Sequence, residues 1–164
     1  MNRIYLVGLP GVGKSTSGKR FAKKLGWGYA DLDKLVAIRA GMKIPQLFEA
    51  KGEAYFRELE QEVLHETKQS NFIVIGCGGG TAAWFNNMAW MLQHGRVIWL
   101  NIKLEELTRR LTISVNDRPM FPDREPELIQ QKLSALLEVR KPYYEQAHIE
   151  VKSETELLSL SVLP

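Results

Sequence analysis

Arg3-Ile-Tyr-Leu-Val-Gly8-Leu-Pro-Gly-Val-Gly13-Lys14-Ser15 joins a short apolar run to a helical pattern through a glycine-rich turn. Its first five residues form a short apolar run that reads as a buried strand, and from Lys14 onward Phe21, Ala22 and Leu25 recur at helical spacing. Between strand and helix, Gly8 to Ser15 fits the spacing G-x-x-x-x-G-K-[ST] in full. Glycines let successive backbone N–H groups curl inward, and the N-terminus of the following helix adds a partial positive charge facing the same point. Such a loop cradles the phosphates of a nucleoside triphosphate, with Lys14 reaching the outer phosphates and the Ser15 hydroxyl placed to ligate Mg²⁺.

Outward from the loop, short apolar strands alternate with helical patterns. A second strand leads to Asp31-Leu-Asp33, and helical periods follow over 34–41, 44–50 and 52–69, the last with Phe56, Leu59, Val63 and Leu64 on its apolar stripe and Glu53 and Arg57 on its surface. Strands are expected at Phe72-Ile-Val-Ile and Arg96-Val-Ile-Trp-Leu, helices over about 82–93 and 103–111, and a long helix from Pro126 that Pro142 disturbs or ends. A strand at 148–151 and a terminal helix close the chain. Strands this apolar argue for a parallel sheet of about five strands covered by helices on both faces, a three-layer α/β/α fold of the P-loop kinase type. In such folds sites form at the carboxyl ends of strands, which singles out the glycine loop, the two aspartates and Gly78-Gly79-Gly80.

With 164 residues, 45% hydrophobic and 25% charged, the chain suits one domain over 1–164. No basic leader or long apolar run precedes the first strand, and the one cysteine, Cys77, reads as a packed residue, so a cytoplasmic, membrane-free protein is expected. The net charge of +3 is dispersed, and the cluster Lys19, Arg20, Lys23 and Lys24 reads as a solvated helix face rather than a nucleic-acid surface. Residues 112–124, with Pro119 and Pro122 and no period, read as an exposed, mobile loop.

The class of phosphate chemistry follows from the acids. No N-K-x-D guanine signature is present, and the apolar strand at 72–76 ends in glycine where a motor ATPase would carry an acid. If Asp31-Leu-Asp33 is extended, the two carboxylates share one face. A carboxylate beside Mg²⁺ and the γ-phosphate orients an acceptor hydroxyl and takes its proton; two aspartates that merely start a helix are the plain alternative. Arg57, Arg118 and Arg140 supply planar forks for carboxylate or phosphate, although Arg57 could simply pair with Glu53, Arg140 could cap a helix end, and Arg118, Arg109, Arg110 and Arg124 could be solvated.

In order along the chain stand the phosphate loop Gly8 to Thr16, Asp31-Leu-Asp33, Phe56-Arg57-Glu58-Leu59-Glu60, Gly78-Gly79-Gly80, Arg118-Pro119 and Arg140-Lys-Pro142-Tyr143-Tyr144. This series resembles the shikimate kinase family over nearly the whole length. The resemblance implies ATP-dependent phosphorylation of the 3-hydroxyl of shikimate, on the route to chorismate and the aromatic amino acids. It implies ATP held by Gly11, Val12, Gly13, Lys14, Ser15, Thr16 and Arg118, and Mg²⁺ bound by Ser15 with Asp31 acting through water. It implies Asp33, Lys14 and Arg118 as the catalytic set. Shikimate would be held by Asp33, Arg57, Gly79 and Arg140, within an acceptor region at about 31–62, under a lid at about 112–124 that brings in Arg118. A monomer is expected. Two departures stand out: Met120 and Phe121 follow Arg118-Pro119 where leucines are usual, and Cys77 replaces a usual threonine.

A gluconate kinase or a nucleoside monophosphate kinase is the nearest rival. Asp33 speaks against the second, because an anionic acceptor would be repelled by a carboxylate. A nucleotide-binding regulator without catalysis is the rival of another class, and it would be expected to lack Lys14, Asp33 or Arg118.

Overall fold

The computed structural model describes residues 2–113, 121 and 124–161. Five strands, β1 (Arg3–Val7), β2 (Gly28–Asp31), β3 (Ile73–Gly76), β4 (Arg96–Leu100) and β5 (Ile149–Val151), form one sheet in the order β2-β3-β1-β4-β5. Every pairing is parallel, with Tyr5 opposite both Ile75 and Val97. Tyr5, Leu6, Val7, Val74, Ile75 and Val97 are completely buried, as the near-continuous apolar strands require of a sheet covered on both faces. The helices that cover it are α1 (Lys14–Leu25), α2 (Leu32–Ala40), α3 (Ile44–Glu66), α4 (Asn87–His94), α5 (Leu104–Ile113), α6 (Pro126–Tyr144) and α7 (Glu154–Ser159). None of the helices among the described residues is long and apolar enough to cross a membrane.

Three expectations need correction. Asp31-Leu-Asp33 is not extended throughout: Asp31 ends β2 and caps α2, its Oδ1 accepting the Lys34 amide at 3.3 Å, while Asp33 sits in the first turn of α2. An aspartate at a strand end is a good N-cap, so the helix begins one residue before Asp33. The break expected between the periods at 44–50 and 52–69 is present within α3 at Gly52, whose φ of 80° and ψ of 172° leave the helical region and kink the axis, and a 3-10 turn over Thr67–Gln69 ends the second period. Arg57 is not a surface residue, since it is 7% exposed and packs beside the apolar stripe of Phe56, Leu59, Val63 and Leu64. The stretch at 82–93 is also interrupted, a 3-10 turn at Thr81–Ala83 preceding α4.

Pro142 lies inside α6, which continues to Tyr144. Cys77 is buried with Sγ 3.7 Å from Met91 Sδ, and burial raises its thiol pKa, as befits a packing residue. The basic face of α1 is exposed, but not only solvated: Arg20 pairs with Glu154 at 2.5 Å, and Lys24 bonds the carbonyls of Leu158 and Leu160, tying α7 to α1.

Candidate active site

The carboxyl ends of β1, β2 and β3 converge on one cleft. At the end of β1, Gly8 takes φ 146°, and a Cβ there would lie 2.7 Å from the Leu100 carbonyl oxygen, so the loop can pass the end of β4 only as glycine. Gly13, at φ 91°, is the N-cap of α1; no side chain caps that helix end and its first turn holds no acid. The leading N–H groups of a twelve-residue helix and its positive dipole end are therefore turned into the cleft without a competing anion. Lys14 Nζ donates to the carbonyls of Gly8 at 2.6 Å and Leu9 at 2.9 Å, which holds the ammonium inside the loop. Ser15 Oγ donates to Asp31 Oδ2 at 2.9 Å. Arg110, left among solvated arginines by the sequence, reaches the loop as well, its Nη1 donating to the Val12 carbonyl at 3.3 Å.

This loop lines a cavity of about 340 Å³ together with Asp31, Asp33 and Gly76 to Gly79. A second cavity of about 150 Å³ adjoins it, lined by Ile44, Phe48, Phe56, Arg57, Glu60 and Arg140. Asp33, Pro10, Gly78 and Gly79 line both. Asp33 thus stands at the junction of a phosphate-sized space and a smaller space with an apolar side and two guanidinium groups. Burial raises its pKa to about 6; the charges of Glu60 and Asp31 add to the rise, and those of Lys14 and Arg57 oppose it. A carboxyl group titrating there is ionised at neutral pH yet basic enough to accept a proton from a hydroxyl.

In the smaller cavity, Arg57 Nη1 donates to Glu60 Oε2 at 2.8 Å, while Thr81 Oγ1 donates to Glu60 Oε1 at 2.6 Å. Glu60 is completely buried, so this pair anchors the arginine from below. Arg57 also contacts Glu53, the partner foreseen in the sequence, but at 3.3 and 3.4 Å. Arg140 is 8% exposed, and its Nη1 is buried with no hydrogen-bond partner among the described residues. A buried guanidinium N–H with no acceptor is costly, and an anionic ligand beside it would remove that cost.

The triple glycine supplies the room. A Cβ on Gly78 would fall 2.8 Å from Asp33 Oδ1, one on Gly79 would fall 3.0 Å from Arg140 Nη1 and from Pro10 Cδ, and one on Gly80 would fall 2.6 Å from Arg57 Nη2. Each glycine therefore seats a different one of Asp33, Arg140 and Arg57 beside the smaller cavity. The strand-end rule picked out the whole run, and the resemblance named Gly79 alone as a contact of the acceptor. Tyr144, at the end of the Arg140 segment, donates its hydroxyl to the Gly79 carbonyl and fixes that strand of backbone. Glu60 was visible in the Phe56-to-Glu60 motif, but only its burial reveals what it does; for Gly78 and Gly80 the available signal was the run of three glycines itself. Arg118 and most of the expected lid at 112–124 lie outside the described residues.

A family model described as shikimate kinase matches residues 10–162. A shikimate kinase of a Sulfurihydrogenibium species is 41% identical over 154 residues, covering 94% of this chain and 89% of that protein. The crystal structure of shikimate kinase from Bacteroides thetaiotaomicron superposes with a TM-score of 0.89 at 37% identity, over 93% of this chain and 87% of that one. Shikimate kinase from Acinetobacter baumannii, solved in complex with shikimate, gives a TM-score of 0.83 at 34% identity, over 93% of this chain and 84% of its own.

Proposed function

The chain belongs to the shikimate kinase family and catalyses that family's reaction, phosphoryl transfer from ATP to shikimate, and we propose that the group phosphorylated is the 3-hydroxyl, activated by Asp33. The observation that carries the reading is the position of Asp33, shared between the phosphate cavity and the cavity that holds Arg57 and Arg140. The triphosphate lies along Gly11 to Thr16 with its outer phosphates against Lys14 and the N-terminus of α1. Shikimate lies in the smaller cavity with its carboxylate between Arg57 and Arg140 and its ring close to the backbone of Gly79. Asp33 then faces both the acceptor hydroxyl and the γ-phosphate. It orients the hydroxyl, accepts its proton as the new P–O bond forms, and so leaves ADP and a phosphate ester as products.

Among the described residues no group of three or more His, Cys, Asp or Glu gathers as a metal site. Ser15 and Asp31, 2.9 Å apart, offer one hydroxyl and one carboxylate, a donor set that fits Mg²⁺ completed by phosphate oxygens and water. Bound there, Mg²⁺ would neutralise charge on the phosphates. We assign Ser15 as the direct ligand, with Asp31 acting through water, and Arg118 as the residue that closes on the phosphoryl group from 112–124. One chain carries every residue named, so a monomer suffices.

Coupled measurement of ADP release with shikimate, gluconate and AMP as acceptors tests the reading. Stimulation by shikimate alone, abolished by removing divalent cations with EDTA, is expected. Equal stimulation by gluconate would overturn the assignment of the acceptor.

A further inference from the structure

The chain leaves the triple glycine through the turn at Thr81–Ala83 and arrives at Trp84, whose ring lies beneath Arg57: the Arg57 Cζ is 5.2 Å from the Trp84 ring centroid. It is also 5.0 Å from the centroid of the Phe56 ring. Phe56 is buried and belongs to the core. Trp84 does not, since it is 38% exposed, and half-exposed indole is a poor use of the largest apolar side chain if packing is its only role.

The backbone around Trp84 adds a second, independent sign. The Trp84 carbonyl accepts the Asn87 amide at 3.2 Å, and inside that turn Phe85 stands at φ 49°, a region that bulky side chains avoid. Phe85 is 50% exposed, so burial of its own ring does not offset the strain. Strain held in place by its surroundings is a mark of functional segments. What this turn delivers toward the site is the indole against Arg57.

In the plane of the guanidinium, the constraints on Arg57 are uneven. The bond to Glu60 is short and buried, whereas Glu53 is 52% exposed in its side chain and its contacts are long, so it holds little. Nη1 and Nη2 each have two N–H donors, of which Glu60 and Glu53 take one apiece. The others form an edge suited to a carboxylate, provided the plane of the fork is fixed.

We propose that Trp84 is a positioning residue for the acceptor, its ring face fixing the tilt of Arg57 so that the fork meets the shikimate carboxylate with two hydrogen bonds. The proposal rests on the assignment of Arg57 to that carboxylate. The attraction depends on the aromatic quadrupole, not on apolar bulk, so phenylalanine should retain much of it and leucine none.

Steady-state kinetics and calorimetric titration of shikimate on W84L, W84F and R57A test this. W84L is expected to raise KM and Kd for shikimate roughly fivefold to thirtyfold, the range of a partly desolvated cation–π contact, with the loss falling on shikimate KM rather than on kcat or on KM for ATP. W84F should recover most of that loss. Wild-type shikimate affinity in W84L overturns the proposal, and so does equal weakness of W84L and W84F, which would make Trp84 a filler of space. R57A separates the two levels: normal shikimate affinity there removes the role of Arg57 and the proposal with it, whereas a large loss in R57A beside none in W84L removes only the role of Trp84. If W84L fails to fold, shikimate-dependent tryptophan emission decides instead. The change is expected in the wild type and should vanish in W84F; a change that persists there contradicts contact between Trp84 and the occupied arginine.

Discussion

Glu60 anchors Arg57 through a 2.8 Å hydrogen bond, and the same carboxylate is the charge that, after burial itself, does most to raise the proton affinity of Asp33. One buried side chain thus serves both halves of the smaller cavity, placing Arg57 and tuning Asp33, the residues proposed to face the acceptor's anion and its hydroxyl. Replacing it with alanine strands a guanidinium that is 8% exposed in its side chain. Breaking a buried pair from one side costs roughly 3–5 kcal/mol, so E60A is expected to lose about that much stability in urea denaturation. A loss under about 1 kcal/mol would mean that the pair is solvated in solution.

The raised pKa of Asp33 sets an acid limb on activity. Since the ionised carboxylate is the form that accepts the proton, kcat/KM for shikimate should fall about tenfold per pH unit below about 6 and flatten above it. In E60Q, which removes one of the charges that raise that pKa, the limb should move to lower pH. A limb that stays in place would mean that Glu60 does not reach Asp33 electrostatically.

Stability carries the opposite sign. Asp33 binds its proton more tightly in the folded chain than in the unfolded one, so folding is penalised as pH rises from about 4 to about 6, and the full penalty persists above that. D33N removes the charge. It should therefore be more stable than wild type by on the order of 3 kcal/mol at pH 8, with the gain shrinking to nothing below pH 4, as thermal or urea denaturation at the two pH values would register. Greater activity-independent stability of the wild type at pH 8 would contradict a buried, strained charge.

The three glycines should separate by the partner each seats. G80A drives a methyl group to 2.6 Å from Arg57 Nη2 and should raise KM for shikimate at least about tenfold through the arginine, with ATP affinity retained. G78A strikes Asp33 Oδ1 at 2.8 Å and should lower kcat instead. Identical kinetic phenotypes would show that the run responds as one unit of backbone rather than as three seats.

Much of this arrangement was legible in the sequence, and the reasons differ by residue. The Gly8 to Ser15 spacing carries its own mechanism, because a loop that turns backbone N–H groups inward requires glycine at fixed places whatever surrounds it. The five parallel strands followed from apolar runs too complete for a sheet with a wet face. Arg57 could be flagged as a fork but was placed on the surface, because helical periodicity describes apolar residues and does not reveal that a charged residue flanking the stripe is buried with Glu60. Asp31 and Asp33 were correctly paired on one cleft although the local geometry is a cap and a first turn, not an extended tripeptide. Gly78 and Gly80 stood out as part of a run, but what each seats was not legible, since what forbids a side chain there comes from Asp33 and from Arg57, both distant in sequence.

We propose for Asp33, at the junction of the two cavities, the role of activating the acceptor hydroxyl. Its most direct test is shikimate-dependent ADP release by D33N at saturating ATP and Mg²⁺, with ATP binding measured on the same sample. A loss in kcat of at least about a hundredfold, the range of a general base, with ATP binding little changed is the expected result. Turnover like that of the wild type would remove Asp33 from the reaction.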